Sequence, residues 1–393
     1  MLIEPAMMDA AARTATDDLN LDRDDSERLA GEVQAALADG TPLRIRGGDS
    51  KAFLGRPVQG RPIDTRSHRG VVSYDPTELV ITARAGTPVA ELNAVLDAAG
   101  QMLPCEPPDY DGRATVGGMV ASGLAGPRRP WSGAVRDFVL GCRVIAGNGG
   151  GGRPLRFGGE VMKNVAGYDV SRLMAGSFGC LGVITEVSLK VLPKPRATAC
   201  LALELDAGEA LRELSAWRRA ALPVSGAAWL DGRLHVRLEG GVGSVASAAD
   251  RIGGERLDAR FWLALREQRL AFFDDPRPLW RVSLPNALPN GLPDGLADVT
   301  SSATTSATPS PALPGSILLD WAGAQRWLKS DAPAATIRQI AHAAGGHATC
   351  FTPGTGAEPF TPLPEPLLRL HRQLKRQLDP RGVFNPGRFY ADL

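Results

Sequence analysis

Three glycine-rich segments constrain the fold of this chain more than any other feature of its sequence. The first, Arg46-Gly47-Gly48-Asp49-Ser50-Lys51, follows a short predicted strand over residues 43–46. The second covers residues 115–126, and the third covers residues 176–182 and leads into a predicted strand. Glycine permits tight turns that aim several backbone N–H groups at one anion, or that bring the backbone against a flat ligand. The three segments therefore predict a chain that folds around a ligand.

Each segment by itself also fits an ordinary structural role. The first could be a simple Gly-Gly turn with Arg46, Ser50 and Lys51 at the surface. The second could bring two helices together through glycine and alanine, and the third could be any entry from a loop into a strand. The order of the segments along the chain, rather than any one of them, supports a ligand site.

Charge, hydropathy and missing motifs exclude several classes of function. The net charge is +1 without a basic block, which disfavours nucleic-acid binding. No apolar run approaches the roughly 20 residues that span a bilayer, and the acidic start of the chain disfavours a secretory signal. None of the three glycine segments fits GxGxxG, and the chain has no GxxxxGK[ST] and no GxSxG. These absences disfavour a nicotinamide Rossmann site, a P-loop and a serine-hydrolase elbow.

The cysteines and histidines predict no metal site. The five cysteines form no CxxC pair, so we expect reduced, buried thiols and no local zinc or iron–sulfur site. The five histidines form no HxH, HExxH or HxxH pair, so a histidine-based metal centre lacks its ligands.

Composition and periodicity divide the chain into four parts. Residues 1–23 are polar and irregular and are predicted to be a disordered tail. Residues 24–195 alternate helices, strands and glycine segments and form the first domain. Residues 196–345 form a second domain, in which the Pro/Ser/Thr-rich stretch 285–315 is predicted to be a mobile loop. Residues 346–393 form a C-terminal segment.

Two predictions of secondary structure bear on the architecture. Strict alternation of apolar and polar residues over Val183–Leu192 predicts a half-buried strand. After residue 196 the elements follow the order β-α-β-β-α-β, with a helix over Val242–Ile252 and a closing strand at Trp280–Leu284. That order predicts a ferredoxin-like sheet with helices on one face.

Taken in order, the glycine segments and their flanks resemble the flavin-binding domain of the vanillyl-alcohol oxidase / p-cresol methylhydroxylase (PCMH) superfamily. The stretches that carry the resemblance are RIRGGDSK, RATVGGMVASGLAGPRRPWSG, GSFGCLGVITEVSLKVLPKP and, near the end, DPRGVFNPGRFY. It covers residues 40–195 densely. The RGGDSKAFLGR loop, the short second domain and the DWAGAQRWL segment over Asp320–Leu328 resemble, more narrowly, the smaller FAD-binding subunits of bacterial glycolate oxidase complexes.

The resemblance implies an α+β fold. A PCMH-type FAD-binding domain of two subdomains would occupy residues 24–195, and a smaller ferredoxin-like α/β cap would follow it. The C-terminal segment 346–393 would return to the FAD domain. FAD would be bound noncovalently, because the first loop carries Asp49, Ser50 and Lys51 where many relatives carry a histidine that attaches the flavin.

The resemblance also assigns roles to individual residues. The FAD pyrophosphate would lie on the first loop, where Arg46 or Lys51 would offset the charge of Asp49. The implied FAD-binding residues are Arg46, Gly47, Gly48, Asp49, Ser50 and Lys51 in that loop, Pro107, Pro108 and Asp109 at the flavin entry, Thr115, Gly117, Gly118, Ala121 and Ser122 around the pyrophosphate and ribityl chain, Asp137, Gly182, Val183 and Ile184 at the adenine end or ring edge, and Asn385 at the border of the domain.

Candidates for the reacting groups are few. Relatives that oxidise 2-hydroxy acids carry a metal-binding histidine pair, which this chain lacks. His347 is the one candidate base placed where the cap returns, and the alternative for it is a structural histidine at a strand end. Lys163 and Tyr168 could approach the flavin or the substrate, or could serve only in packing.

The resemblance implies an FAD-dependent oxidoreductase that acts on CH–OH groups. It would oxidise glycolate, a small 2-hydroxy acid, to glyoxylate and pass electrons to a larger FAD-linked glycolate oxidase subunit and an iron–sulfur subunit. The chain would be cytoplasmic and would reach the inner membrane only through this complex. Two alternatives remain: a non-catalytic subunit that carries flavin or stabilises the complex, and a stand-alone flavoenzyme of the same superfamily.

Overall fold

The structure is a computed structural model that describes residues 22–148, 152–160, 169–284 and 313–393. The predicted tail, apart from its last two residues, and most of the predicted loop 285–315 lie outside the described residues. Lys163 and Tyr168 lie outside them as well.

The first subdomain is a helix packed on a pair of parallel strands. Its elements are α1 Ser26–Asp39, β1 Leu43–Arg46 and β2 Arg61–Asp64. Leu29, Val33 and Ala36 recur on one face of α1 at helical spacing, and all three are buried. They pack with Val183 and Phe384 from distant parts of the chain, so side chains from outside this small subdomain complete its core.

The second subdomain is built around a five-stranded antiparallel sheet. Its elements are β3 Val71–Asp75, β4 Val80–Arg84, α2 Val89–Ala98, β5 Gln101–Met102, α3 Val116–Ser122, α4 Arg129–Ser132, α5 Val135–Phe138, β6 Val139–Ile145, β7 Pro154–Gly158, α6 Val170–Leu173, β8 Val183–Lys190 and β9 Leu192–Pro193. The strand order is β3-β4-β8-β6-β7, and β5 pairs separately with β9.

The burial of β8 differs from the prediction. A half-buried strand was expected, whereas in β8 every residue except Glu186 and Lys190 is buried. β8 is a central strand, paired with β4 on one side and β6 on the other, and its side chains pack in two different hydrophobic cores. Val183 packs with the α1 core, whereas Val187 packs with the core of the second subdomain.

The cap is one continuous antiparallel sheet of eight strands. Its elements are β10 Ala197–Glu204, α7 Ala207–Arg219, β11 Val224–Leu230, β12 Arg233–Gly240, α8 Val242–Ile252, β13 Glu255–Arg256, α9 Arg260–Arg266, α10 Ala271–Asp274, β14 Leu279–Ser283, β15 Ser316–Asp320, a 3₁₀ turn Trp321–Gly323, β16 Gln325–Lys329, α11 Ala334–Ala343 and β17 His347–Cys350. The strand order is β13-β10-β12-β11-β15-β16-β14-β17.

The cap contains the ferredoxin-like order twice. In the first half, β13-β10-β12-β11 has the order expected of a βαββαβ unit, and its closing strand is β13. The prediction that Trp280–Leu284 closes the unit was therefore wrong, because β14 opens a second half of matching order, β17-β14-β16-β15. The halves join where Trp229 of β11 pairs with Leu319 of β15. The eight-stranded sheet includes β17, which lies beyond residue 345, where the second domain was predicted to end.

The C-terminal segment returns to the first subdomain. After helix α12, Glu365–Leu378, the buried Lys375 donates hydrogen bonds to the carbonyls of Cys180 and Phe384, each at 2.7 Å. Asp379, fully buried, lies 2.7 Å from the Lys375 ammonium and accepts the N–H groups of Val383 and Phe384. Within the described residues, no helix is long and apolar enough to cross a membrane.

Candidate functional site

A cavity of about 450 Å³ lies between the two subdomains described above. Together these subdomains form the domain predicted over residues 24–195, which is called the FAD-type domain below. The first glycine segment, the second glycine segment and the C-terminal segment all line this cavity. Among the predicted FAD-binding residues, those that line it are Arg46, Gly47, Gly48, Asp49, Ser50, Lys51, Thr115, Gly118, Ala121, Ser122 and Asn385. A smaller adjoining cavity of about 80 Å³ adds Gly117, Gly182 and Ile184.

Close backbone packing explains why two of these positions are glycine. A Cβ atom on Gly48 would lie 1.5 Å from the carbonyl oxygen of Arg113, and one on Gly47 would lie 2.4 Å from Oγ1 of Thr115. Real Cβ atoms do not approach other heavy atoms so closely, so any larger residue would push the first two glycine segments apart. The glycines therefore set the width of the cavity.

The charge of Asp49 is offset by two arginines of β1. The Asp49 carboxylate lies 3.4 Å from Nε of Arg46 and 3.6 Å from a terminal nitrogen of Arg44. Of the two cations proposed from the sequence, Arg46 fills this role, whereas Lys51 makes no ion pair with Asp49 among the described residues. Arg44 was missed, although it stands two residues before Arg46 on the same strand.

Lys51 points towards the segment that links the two subdomains. Its ammonium is buried, lies 3.2 Å from Oγ of Ser50 and stands 5.3 Å from the centre of the Tyr110 ring. Burial lowers the pKa of Lys51 to about 8, while the carboxylates of Asp109 and Glu267 act in the opposite direction. Lys51 therefore places a cation at the inner wall of the cavity, and this cation can lose its proton near neutral pH.

Several residues predicted to bind FAD do not line these cavities. Pro107 and Pro108 are buried, and the cap holds their segment, because the carboxylate of Glu267 accepts the N–H groups of Asp109 and Tyr110. Asp109, Asp137 and Val183 also lie outside the lining; the carboxylate of Asp137 accepts the N–H of Ala134 at the start of α5, and the side chain of Val183 is buried in the α1 core.

Asn385 connects the C-terminal segment to both walls. Its Oδ1 accepts a hydrogen bond from the N–H of Ile45 at 2.8 Å, and its Nδ2 donates to the carbonyl of Phe178 at 2.7 Å. Arg388 lines the same cavity and donates to the carbonyls of Lys51 and Ala52. Sequence reasoning missed Arg388 and Phe178, although both stand in stretches that carry the family resemblance.

The lining fits FAD. Four cationic side chains, Arg44, Arg46, Lys51 and Arg388, face a single carboxylate, that of Asp49, which suits a pyrophosphate dianion. Nε of Arg46 is buried and, although it lies 3.4 Å from the Asp49 carboxylate, has no hydrogen-bond partner among the described residues. Among the described residues, no histidine or cysteine belongs to the lining.

His347 lies apart, at a second cavity of about 480 Å³ between the FAD-type domain and the cap. The two cavities meet at the end of α3, because Ser122 lines both. Desolvation and the charge of Arg281 lower the pKa of His347, which favours the neutral imidazole. Among the described residues, no group of three or more histidine, cysteine or carboxylate side chains could hold a metal ion.

Comparisons with known proteins agree with this geometry. Residues 24–150 match the family described as FAD binding domain. The chain superposes on alkyldihydroxyacetonephosphate synthase with a TM-score of 0.61 at 17% identity, covering 92% of this chain and 75% of that one, which is a likeness of fold. The fold and the site thus define a PCMH-type FAD-binding flavoprotein with an α/β cap.

A longer match identifies the family. The chain is 57% identical to glycolate oxidase subunit GlcE of Escherichia coli (strain K12) over 370 residues, which is 94% of this chain and 99% of the relative. It belongs to the GlcE family of glycolate oxidase subunits. A shorter match, 33% identical over 162 residues, links 41% of the chain to 34% of glycolate oxidase subunit GlcD of Bacillus subtilis (strain 168).

Proposed function

We propose that this chain is the FAD-binding subunit of a glycolate dehydrogenase complex that oxidises glycolate to glyoxylate. The observation that carries the proposal is the similarity to GlcE over nearly the whole of both chains. The cavity between the first two glycine segments supports it, because its lining suits FAD and a second cavity opens beside it for a small substrate.

The partners follow from the route that electrons take. All five cysteines are free and buried at separate positions, and we propose that an iron–sulfur subunit receives the electrons. The similarity of the FAD-type domain to GlcD supports a larger FAD-linked subunit as the second partner. We place the complex in the cytoplasm, in contact with the inner membrane through these partners.

The chemistry divides between the cofactor and the chain. Bound FAD supplies the acceptor for the hydride that leaves the carbon bearing the substrate hydroxyl. The basic side chains of Arg46 and Arg388 hold the pyrophosphate, and Asn385 keeps both walls of the cavity in place. His347, at the rim of the second cavity, takes the hydroxyl proton, because its lowered pKa leaves the imidazole neutral.

The visible absorption spectrum of the purified full chain tests the cofactor first. Flavin bands that move to the supernatant after acid precipitation would establish noncovalent FAD. Failure to bind FAD even on reconstitution would overturn the assignment for this chain.

Addition of glycolate tests the chemistry. Bleaching of the flavin in the purified chain alone, or bleaching of the co-purified complex that His347→Gln slows, would establish oxidation at this subunit, because the larger partner is proposed to carry FAD of its own. Flavin that stays oxidised in both preparations would instead assign a non-catalytic, flavin-carrying role. His347→Gln should retain FAD and slow the reduction by about 10²- to 10⁴-fold. The matched control is His342→Gln, an exposed residue of α11, which should leave the rate unchanged.

A further inference from the structure

The charged side chains that line the cavity between the FAD-type domain and the cap are all positive. Three arginines, Arg129, Arg136 and Arg281, border it together with His347, and no aspartate or glutamate belongs to its lining. Uncompensated cations around a partly enclosed space are costly in a folded protein unless an anion binds among them. The lining therefore points to an anionic ligand.

Arg281 reaches the cavity from β14, the strand beside the edge strand β17 of the cap sheet. Trp280 and Val282, its neighbours on β14, pack in the core beneath α11, so alternation along the strand turns Arg281 to the other face. Its guanidinium carbon stands 5.3 Å from the centre of the Phe351 ring. Its Nε is buried without a hydrogen-bond partner, and Arg281 makes no ion pair among the described residues.

Arg129 reaches the same cavity from the FAD-type domain. Its guanidinium carbon lies 4.4 Å from the centre of the Trp321 ring, and the indole of Trp321 is fixed by donating to the carbonyl of Gly126 at 3.0 Å. Like Arg281, Arg129 makes no ion pair among the described residues. Burial, together with the charge of Arg129, lowers the pKa of Arg281 to about 10, so the charge of Arg129 acts on Arg281.

The position of the cavity relates this anion to the flavin. Ser122, at the end of α3, lines both the FAD-type cavity and the cap cavity, so a small molecule held by the arginines lies beside the cofactor. His347 of β17 is paired with Ser283 of β14, which lies two residues after Arg281 on the same strand. Residues two apart on a strand share a face, so His347 stands on the same wall of the cavity as Arg281. A carboxylate at the arginines would leave an adjacent hydroxyl within the space bordered by Ser122 and His347.

We propose that Arg129 and Arg281 bind the carboxylate of the 2-hydroxy acid substrate. The inference rests on the proposed function and adds to it the group that the site recognises. Guanidinium groups suit this role because they present paired N–H donors in the plane of a carboxylate and keep their charge when partly desolvated. One arginine comes from each domain, so the site is complete only when the cap is seated on the FAD-type domain.

Binding of oxalate to the FAD-loaded full chain tests the site without turnover. Calorimetry reports it, and ethylene glycol, which lacks a carboxylate, serves as the non-acidic probe. We expect Arg281→Gln and Arg129→Gln each to weaken oxalate binding by about 10- to 100-fold while FAD content stays unchanged. Arg281→Lys should recover part of the affinity. Arg260→Gln, at an arginine whose side chain is 86% exposed, should bind like the wild type.

The outcomes separate this inference from the proposed function. Wild-type affinity for oxalate in both glutamine variants, or equal binding of ethylene glycol, or no binding of oxalate by the wild type, would overturn the carboxylate site. Should glycolate reduce the flavin of these variants with an unchanged concentration dependence, the proposed function would stand and the site would fall. Should oxalate binding depend on the arginines while glycolate never reduces the flavin, the site would stand and the proposed oxidation would fall.

Discussion

Asn385 accepts a hydrogen bond from the backbone N–H of Ile45 at 2.8 Å, although 340 positions separate the two residues in the chain. The same side chain donates to the carbonyl of Phe178, in the third glycine segment. The end of the chain therefore holds the strand before the first glycine segment against the third. This bond makes the FAD-type cavity depend on a residue that follows the entire cap.

Asn385→Ala should loosen that cavity. The substitution leaves the Ile45 N–H and the Phe178 carbonyl without their partner, and we expect a loss of about 1–3 kcal/mol in the free energy of unfolding together with weaker FAD binding. Urea unfolding and FAD titration measure the two effects. Asn93→Ala, at a partly buried asparagine of α2, is the matched control. Equal FAD affinity in the wild type and Asn385→Ala would contradict the role given to this side chain.

Gly48→Ala should abolish FAD binding. A methyl group at this position would stand 1.5 Å from the carbonyl oxygen of Arg113, so the first glycine segment must move away from the backbone of Arg113. The retained flavin, read from the visible spectrum of the purified chain, checks this. Gly31→Ala is the control, because Gly31 lies within α1 with no atom near its added Cβ, and we expect it to stabilise the chain by up to about 1 kcal/mol. Normal flavin content in Gly48→Ala would refute the packing argument.

A buried ionic network at the junction of the domains provides a third prediction. Arg128, of the FAD-type domain, pairs with Glu239 of the cap and lies 3.1 Å from Glu106, and Glu106 lies 2.8 Å from Arg237. Glu239→Gln leaves a buried arginine short of a counter-charge, so we expect a loss of about 3–5 kcal/mol, seen as a lower urea midpoint.

The control for this network is an exposed glutamate of the same cap sheet. Glu255 pairs with Arg233 at the surface, and Glu255→Gln should cost no more than about 1 kcal/mol. Similar midpoints for the two glutamine variants would show that the buried network contributes no more than a surface pair.

Asp320 makes stability depend on pH. Burial raises the pKa of this carboxyl from its ordinary value of 3.8 to about 7, since the folded chain favours the neutral acid. Its contribution to stability is complete below pH 4, declines as the pH rises, and is lost above about pH 7. Asp320→Asn should therefore flatten the dependence of the free energy of unfolding on pH between these limits.

Unfolding titrations across that range test the effect of Asp320. The control is Asp331→Asn, an exposed position nearby in the chain, which should keep the wild-type profile. An unchanged slope in Asp320→Asn would assign the pH dependence to other groups.

Local sequence determined many features of this protein. The bounds of β1 and α8 were predicted at Leu43–Arg46 and Val242–Ile252, because strand and helix periodicity act over neighbouring residues. The glycine segments predicted a chain that folds around a ligand, since glycine permits close backbone contact, and their resemblance to a known family indicated an FAD-type domain. Likewise, the charge of Asp49 in its loop called for a nearby cation, and Arg46 lies three residues away.

Tertiary structure decided the features that depend on distant partners. β8 is buried because Val183 packs in the α1 core, whereas Ile184 and Val187 pack in the core of the second subdomain, which the alternation of β8 does not encode. The second half of the cap went unrecognised because the two-residue strand β13 gives almost no periodic signal. Arg129 and Arg281 meet at one cavity only because two domains close on each other. Periodicity reports which face of an element is apolar, whereas long-range packing alone brings separate faces together.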